Sequence, residues 1–365
     1  MILDFRKSMR EYRKKEAALY PAGRPPRKSA TPEATHDTIS IHQALNSFCC
    51  EHLSVTVTNT EQVNHDTKKI TFAIPPDPMF ADSRPVLGVP AGSSIQVWFT
   101  PAGRWLPWAG SYAPISDVDT LDKFQLLVKK YPGAHISGHL HSLQSGDELS
   151  IGGSYPGYHW YNDYTPSDEP RDLLFIAEGT GIAALYSLTK RILRMEGDKT
   201  RIELLWAVHD TRDLVLKSEL EQLQRDHPDR LQVTYVVSRP DESQDNNPAK
   251  FKKGYINKSV IQEALRRCKT GTIGNGSTKV WLRGPPSMEE ALVENEGAFS
   301  RSCMWRREPI LTWMGVTSEK GVLAELGITA REVNKFDGRL WGPPRFEFEI
   351  VKYLWGALGR ITSSE

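Results

Sequence analysis

Cysteine is scarce in this chain: four in 365 residues, two of them adjacent at Cys49 and Cys50. That is no disulfide framework, and the usage suits a reducing compartment. Long apolar runs are also missing. No stretch reaches the roughly eighteen apolar residues that a spanning helix needs. Neither sign of charge dominates: 46 Lys and Arg against 45 Asp and Glu leave +1. No global field therefore exists to hold nucleic acid or an anionic membrane. The ten His do not pair with Cys at zinc-ligand spacing, so no metal site is legible. His139 and His141 read as exposed helix residues. No Gly-x-Ser-x-Gly elbow and no Walker-type loop occurs.

What is present is enough for about two domains. Residues 1–52 form a leader whose Phe5 to Lys15 stretch is dense in Arg and Lys, followed by prolines from Pro21 to Pro32. It reads either as a mitochondrial presequence or as a disordered, solvated arm, since Asp4, Glu11 and Glu16 interrupt the positive face. From Leu53 the texture changes to short alternating runs: Leu53 to Val57, Lys69 to Ile74, Ser94 to Phe99 and Phe124 to Val128. Pro and Gly clusters separate them, which predicts antiparallel strands closed as a barrel or sandwich over 53–168.

After Asp172 the period changes again. Strands are predicted at Leu173–Ala177, Ile202–Ala207, Leu231–Val237 and Lys279–Leu282. Helices alternate with them: one through Leu193, one from Leu214 to Gln224, and one opened by Ser259-Val-Ile-Gln262 at capping-box spacing. This predicts an α/β domain with a parallel sheet over 169–336. An insertion at 295–320 holds Cys303, Trp305 and Trp313. The tail, 337–365, carries an apolar patch at Ile350, Tyr353, Leu354, Trp355 and Leu358, readable as a peripheral membrane or partner contact or as a helix packed on the body.

Two glycine turns follow strands of the second domain: Ile176-Ala-Glu-Gly-Thr-Gly-Ile182 and Arg283-Gly-Pro-Pro-Ser-Met288. Glycines let a backbone turn sharply, and the free N–H groups of a following helix favour a phosphate. Ligands bind at the carboxyl rim of a parallel sheet, so both turns should line one crevice. In the first domain, Ser111-Tyr-Ala-Pro-Ile-Ser116, Val128-Lys-Lys-Tyr131 and Gly133-Ala-His-Ile-Ser137 combine an aromatic, a proline-fixed backbone and a helix start. That set could hold a flat ring with a phosphate tail.

In this order the pieces resemble the ferredoxin-reductase superfamily, most closely its cytochrome-b5 reductase branch. His65-Asp-Thr-Lys-Lys69 with Phe72-Ala-Ile-Pro75, and Val86-Leu-Gly-Val-Pro-Ala-Gly92, look like that family's first hairpin and next turn. The resemblance implies a two-domain α+β protein, an FAD-binding barrel followed by an NAD-binding domain. It would be an NAD(P)H-dependent flavin reductase passing electrons to a haem protein or haem. Tyr112 would pack on the isoalloxazine ring, with Ala113, Pro114 and Ser116 completing that motif. Lys129 and Tyr131 would contact the flavin, and Gly133, Ile136 and Ser137 would receive the FAD pyrophosphate. Gly179, Thr180 and Gly181 would take the NAD phosphates, with Gly284, Pro285 and Met288 opposite. Asp213 would repel the extra phosphate of NADPH and favour NADH, although Arg212 beside it leaves NADPH open.

Several positions depart from the family pattern. Gly110 stands where the family has Arg before the Tyr, and Ala113 where it has Thr. A lost charge-assisted hydrogen bond costs roughly 1.5–3 kcal/mol, so FAD affinity would fall about ten- to a hundred-fold unless another cation, Arg104, substitutes. Arg283 stands where the family has the Cys beside the reacting nicotinamide, and so becomes a candidate catalytic residue with Tyr112. Ala183 and Ala184 replace a Thr-Pro. Lys320 to Gly327 and Val333 to Phe336 resemble a fungal mitochondrial branch that supports haem attachment to cytochrome c. That likeness implies a mitochondrial, inner-membrane-associated protein; a cytosolic reductase is the alternative. The lost Arg, Thr and Cys positions also raise a redox-inactive assembly factor.

Overall fold

The computed structural model describes residues 38–40, 53–76, 84–155, 172–240, 251–268, 278–293, 321–328 and 333–335. The expected insertion and tail, the rest of the leader, and Cys49, Cys50 and Cys303 lie outside these residues. Among the described residues, no helix is long and apolar enough to cross a membrane.

The first domain contains β1 (Thr38–Ser40), β2 (Leu53–Gln62), β3 (Thr67–Ala73), β4 (Arg84–Val86), β5 (Ser94–Phe99), β6 (Trp108–Tyr112), β7 (Lys123–Lys129), α1 (His135–Ser142) and β8 (Glu148–Tyr155). Six of the strands make a curled antiparallel sheet in the order β6-β5-β8-β2-β3-β7. Its ends approach at a single bridge between Pro114 and Leu126, so the expected barrel is a half-barrel. Period-two alternation sends Val55, Val57, Ile70, Phe72, Ile95, Val97, Phe124 and Leu126 inward. Helix α1 closes this core with Ile136 and Leu140, one turn apart. Part of the leader departs from expectation: β1 pairs in parallel with β4.

The second domain runs through β9 (Asp172–Glu178), a 3-10 turn at Gly179–Gly181, α2 (Ile182–Arg194), β10 (Arg201–Val208), a 3-10 turn at Thr211–Asp213, α3 (Lys217–Asp226) and β11 (Leu231–Val237). Then come β12 (Lys252–Lys253), α4 (Lys258–Arg267), β13 (Thr278–Arg283), α5 (Pro286–Leu292), α6 (Val322–Glu325) and β14 (Val333–Lys335). The sheet is parallel throughout, in the order β12-β11-β10-β9-β13-β14. Both faces are covered, which explains the unbroken apolar runs. On β9, Leu173, Phe175 and Ala177 pack towards α2, while Leu174 and Ile176 pack towards α4 and α5. The chain leaves β9 for β10 on one side and reaches β13 on the other, so the topological switch lies at β9 and β13.

Two boundaries and one pair of side chains differ from the sequence reading. Helix α3 starts at Lys217, because Thr211–Asp213 turns first and Leu214 and Leu216 are buried in the core. The cap of α4 is Asn257, whose Oδ1 accepts the Val260 N–H at 3.1 Å, while Ser259 donates back to Asn257. The two histidines of α1 are not idle surface groups: His139 stacks on Phe99 with ring centroids 3.6 Å apart, and His141 Nε2 lies 2.8 Å from the Val128 carbonyl oxygen.

Candidate active site at the seam of the two domains

On the half-barrel side, β6 and the loop after it supply the aromatic motif. Tyr112 pairs with Ile95 across β5, and its ring lies back over Gly110. A Cβ at Gly110 would stand 3.0 Å from both Tyr112 Cε2 and Ile136 Cγ2. The place of the family's Arg is thus taken up by Tyr112 and Ile136. Burial, aided by the facing Tyr131, pushes the Tyr112 phenol well above its usual range, so it stays neutral. Ala113 packs against the core cluster of the second domain. Pro114 makes the bridge to β7, and Ser116 Oγ accepts the Gln125 N–H at 3.2 Å. These bonds fix the loop without using Tyr112.

Gly133, at φ +74°, turns the chain into α1. The cap residue Ala134 gives no side-chain hydrogen bond, and no acid stands in the first turn. The N–H groups of that turn are therefore open to an anion. Ile136 and Ser137 are buried there, and Ser137 Oγ accepts the Tyr131 N–H at 3.3 Å. An uncapped helix start beside a neutral aromatic fits an FAD, a ring with a pyrophosphate. Arg104, the expected substitute for the cation lost at Gly110, lies against Trp108. That guanidinium lies 5.3 Å from the Trp108 ring centroid, and Trp108 in turn packs on His135 at 3.8 Å. This chain of contacts leads from Arg104 to the first residue of α1.

On the other side, the two glycine turns touch. A Cβ at Gly181 would stand 2.4 Å from the Arg283 carbonyl oxygen, and one at Gly284 would meet Met288 Cε at 2.3 Å and Glu178 Cβ at 3.1 Å. Gly179 holds φ +56°, and its carbonyl accepts the Trp206 indole N–H at 3.1 Å. Gly181 has no room for a Cβ beside the Arg283 carbonyl, Gly179 holds a left-handed φ that favours glycine, and the open backbone they leave suits the phosphates of NAD. Pro285 caps α5 in extended geometry and Met288 is buried beneath the turn.

The two sides meet through residues that span the domains. Tyr131 Oη lies 3.2 Å from Thr180 Oγ1. Lys129 Nζ sits 3.0 Å from both Asp66 Oδ2 and Asp213 Oδ1. Burial works against the Lys129 charge, but its hydrogen bonds to Asp66 and Asp213 outweigh it and hold the ammonium above its usual range. Asn64 Nδ2 donates to the Arg212 carbonyl at 2.9 Å. Lys190 of α2 donates to the Ile115 carbonyl and pairs with Asp117, both at 2.8 Å, and Arg194 joins Asp117 at 2.6 Å.

The structure therefore gathers Tyr112, Tyr131, Ser137, Thr180, Gly181 and Arg283 around one seam, but it turns Lys129 and Asp213 towards each other. Asp213 also accepts the Asp210 N–H at 3.3 Å, so its carboxylate is already engaged. Arg212 is held by Asp210, whose carboxyl the Arg212 hydrogen bonds depress to about 2. Sequence reasoning missed Asp66, Asp117, Lys190 and Glu178. The first three act across long separations and leave no local signal. Glu178 stood inside the glycine motif in plain view.

Residues 54–160 match the family described as oxidoreductase FAD-binding domain, and residues 175–294 match the oxidoreductase NAD-binding domain. The NADH-cytochrome b5 reductase 2 of Pyricularia oryzae is 30% identical over 284 residues, 78% of this chain and 75% of that protein. That of Neurospora crassa is 31% identical over 284 residues, 78% of this chain and 73% of that protein. In fold, the chain is similar to the cytochrome b5 reductase domain of Ulva prolifera nitrate reductase, with a TM-score of 0.57 and 24% identity over 78% of this chain and 97% of that one. An FAD-binding half-barrel, an NAD-binding parallel sheet and this degree of identity lead to one conclusion: the chain belongs to the NADH–cytochrome b5 reductase family of oxidoreductases.

Proposed function

We propose that the protein takes reducing equivalents from NADH and delivers them to a haem-protein acceptor, with the flavin-side and nucleotide-side residues meeting at the Tyr131–Thr180 contact. A bound flavin supplies the conversion of a two-electron hydride donor into single electrons. The chain's own residues bind and orient. Tyr112 walls the ring site as a neutral aromatic, and the start of α1 receives the pyrophosphate. Gly179, Thr180 and Gly181 take the nucleotide phosphates, and Arg283 and Gly284 close the rim beside them. Arg104 stands in for the missing cation through Trp108 and His135. An Arg104→Ala protein that purifies with undiminished FAD would remove Arg104 from this account.

The single observation that carries the reading is the close approach of Gly181 to Arg283, which brings the two rim turns together. The finer form of the proposal places the protein in the mitochondrion, at the inner membrane, with haem awaiting attachment or a partner haem protein as acceptor. It rests on the basic leader and on the motifs at 320–327 and 333–336.

One observation favours a second reading, a redox-inactive assembly factor. Tyr112 and Ile136 crowd the position where the family's Arg stands. Anaerobic NADH titration of the purified protein, followed in the visible spectrum, decides between them. Flavin bands that bleach support the reductase. Bands that persist mean that FAD is held but the hydride step is lost, and no bands even after added FAD remove the FAD assignment and support the assembly factor.

A further inference from the structure

Glu178 is the last residue of β9 and immediately precedes the Gly179–Gly181 turn. Its neighbour Ala177 pairs with Arg283 across β13, so Glu178 stands beside Gly284, one step beyond the Arg283 position on the rim. The side chain is half-buried, yet no hydrogen bond or ion pair holds its carboxyl among the described residues. Every other acid at the seam is engaged: Asp66 and Asp213 by Lys129, and Asp117 by Lys190 and Arg194. A half-buried, unengaged carboxyl at the carboxyl rim of a parallel sheet marks a functional candidate.

We propose that Glu178 is a specificity residue that holds the nicotinamide carboxamide of NAD at the rim between Gly181 and Gly284. This rests on the nucleotide-binding reading above and adds a contact for the ring end of that ligand. The carboxamide is the nicotinamide's one hydrogen-bonding substituent. It offers a donor and an acceptor side by side, and a protonated carboxyl answers with an acceptor and a donor in one plane. Burial pushes the Glu178 carboxyl up, in the direction of the protonated form, and His209 acts against it. The groups around it are few. Just past β10 comes His209, whose Nδ1 lies 3.1 Å from Ser238 Oγ; from β13 comes Arg283; and Gly284 and Met288 are uncharged. None of them competes as a carboxylate.

The test compares two ligands on the FAD-loaded, oxidised protein by calorimetry: NAD+, and ADP-ribose, which lacks the nicotinamide. Glu178→Ala should weaken NAD+ by about tenfold, the scale of one to two net hydrogen bonds, and leave ADP-ribose unchanged within about twofold. Retained ADP-ribose binding reports an intact site. Glu178→Gln keeps one donor and one acceptor and should stay near the wild type for both ligands. Equal loss of both ligands in Glu178→Ala would assign the residue to the phosphate turn and overturn the proposal. Undiminished NAD+ binding in Glu178→Ala, or a Gln variant as weak as the Ala variant, would overturn it too. A wild-type protein that binds neither ligand overturns the nucleotide-binding reading itself, and the proposal with it.

Discussion

Lys129 Nζ and Asp213 Oδ1 lie 3.0 Å apart across the boundary between the half-barrel and the nucleotide domain. The lysine is 19% exposed and the aspartate 10%, so the pair is shielded enough to matter, unlike a solvated surface bridge. Asp66 on the near side shares the same ammonium. One cation between two acids joins the domains.

Replacing Lys129 by Met leaves those two carboxylates facing each other without their shared cation. We expect a loss of about 1–3 kcal/mol in urea denaturation. The folded-state shift of Lys129 is upward, so its contribution is complete at neutral pH and fades only as pH rises beyond the ordinary lysine value of 10.5. Wild type and Lys129→Met should therefore differ by a constant amount between pH 6 and pH 9; a gap that varies across this range would be inconsistent with the shift.

Gly181→Ala tests the close approach of the rim turns. Gly181 has φ −55°, a conformation any residue adopts, so the demand for glycine comes from the Arg283 carbonyl alone. We expect overpacking to cost about 1–3 kcal/mol and to weaken NAD+ binding together with it. Gly179→Ala, by contrast, has open space for its Cβ and a positive φ of 56°. Its penalty should be backbone strain of about 1 kcal/mol or slightly more, with the Arg283 turn undisturbed.

Asp210 anchors the 3-10 turn that carries Asp213, and its carboxyl is depressed to about 2 from 3.8 by its bonds to Arg212. A depressed pKa gives stability that is present above the unfolded value and lost as pH falls through the folded one. Asp210→Asn should cost about 1 kcal/mol, the scale of a lost cap. The deficit should be fully developed above pH 4 and should shrink towards pH 2. A deficit that persists at the acid end would show that the cap acts through shape rather than charge.

Arg283 brings a fixed positive charge to a rim position where the family carries a thiol. Positive charge beside a flavin favours its reduced, negatively charged form. Arg283→Cys should lower the flavin midpoint potential measured by dye equilibration. An unchanged potential would remove the electrostatic role from Arg283.

The two-domain order was legible because its signals are local. Val55, Val57, Ile70 and Phe72 alternate as a one-sided sheet must, and Leu173 to Ala177 is apolar throughout as a two-sided one must be. The glycine turns were legible because their backbone demands admit few other residues. Strands β12 and β14 were not, since two and three residues carry no period. The start of α3 was misplaced because Leu214 and Leu216 look like a helix face but pack in the core as a connector. The seam was hidden for a different reason: Lys129 and Asp213 are 84 residues apart, and Asn64 and Arg212 are 148 apart. Pairings at such distances leave no trace in spacing.

The apolar cluster above α2 does not stop at the domain boundary. Ala91, Ile115 and Leu127 of the half-barrel are buried in one continuous cluster with Leu185, Leu188 and Trp206 of the nucleotide domain. The folding unit is thus larger than either domain. Separated halves would each expose a greasy wound that the other normally dresses, and the intact molecule should come apart in one concerted transition instead of two.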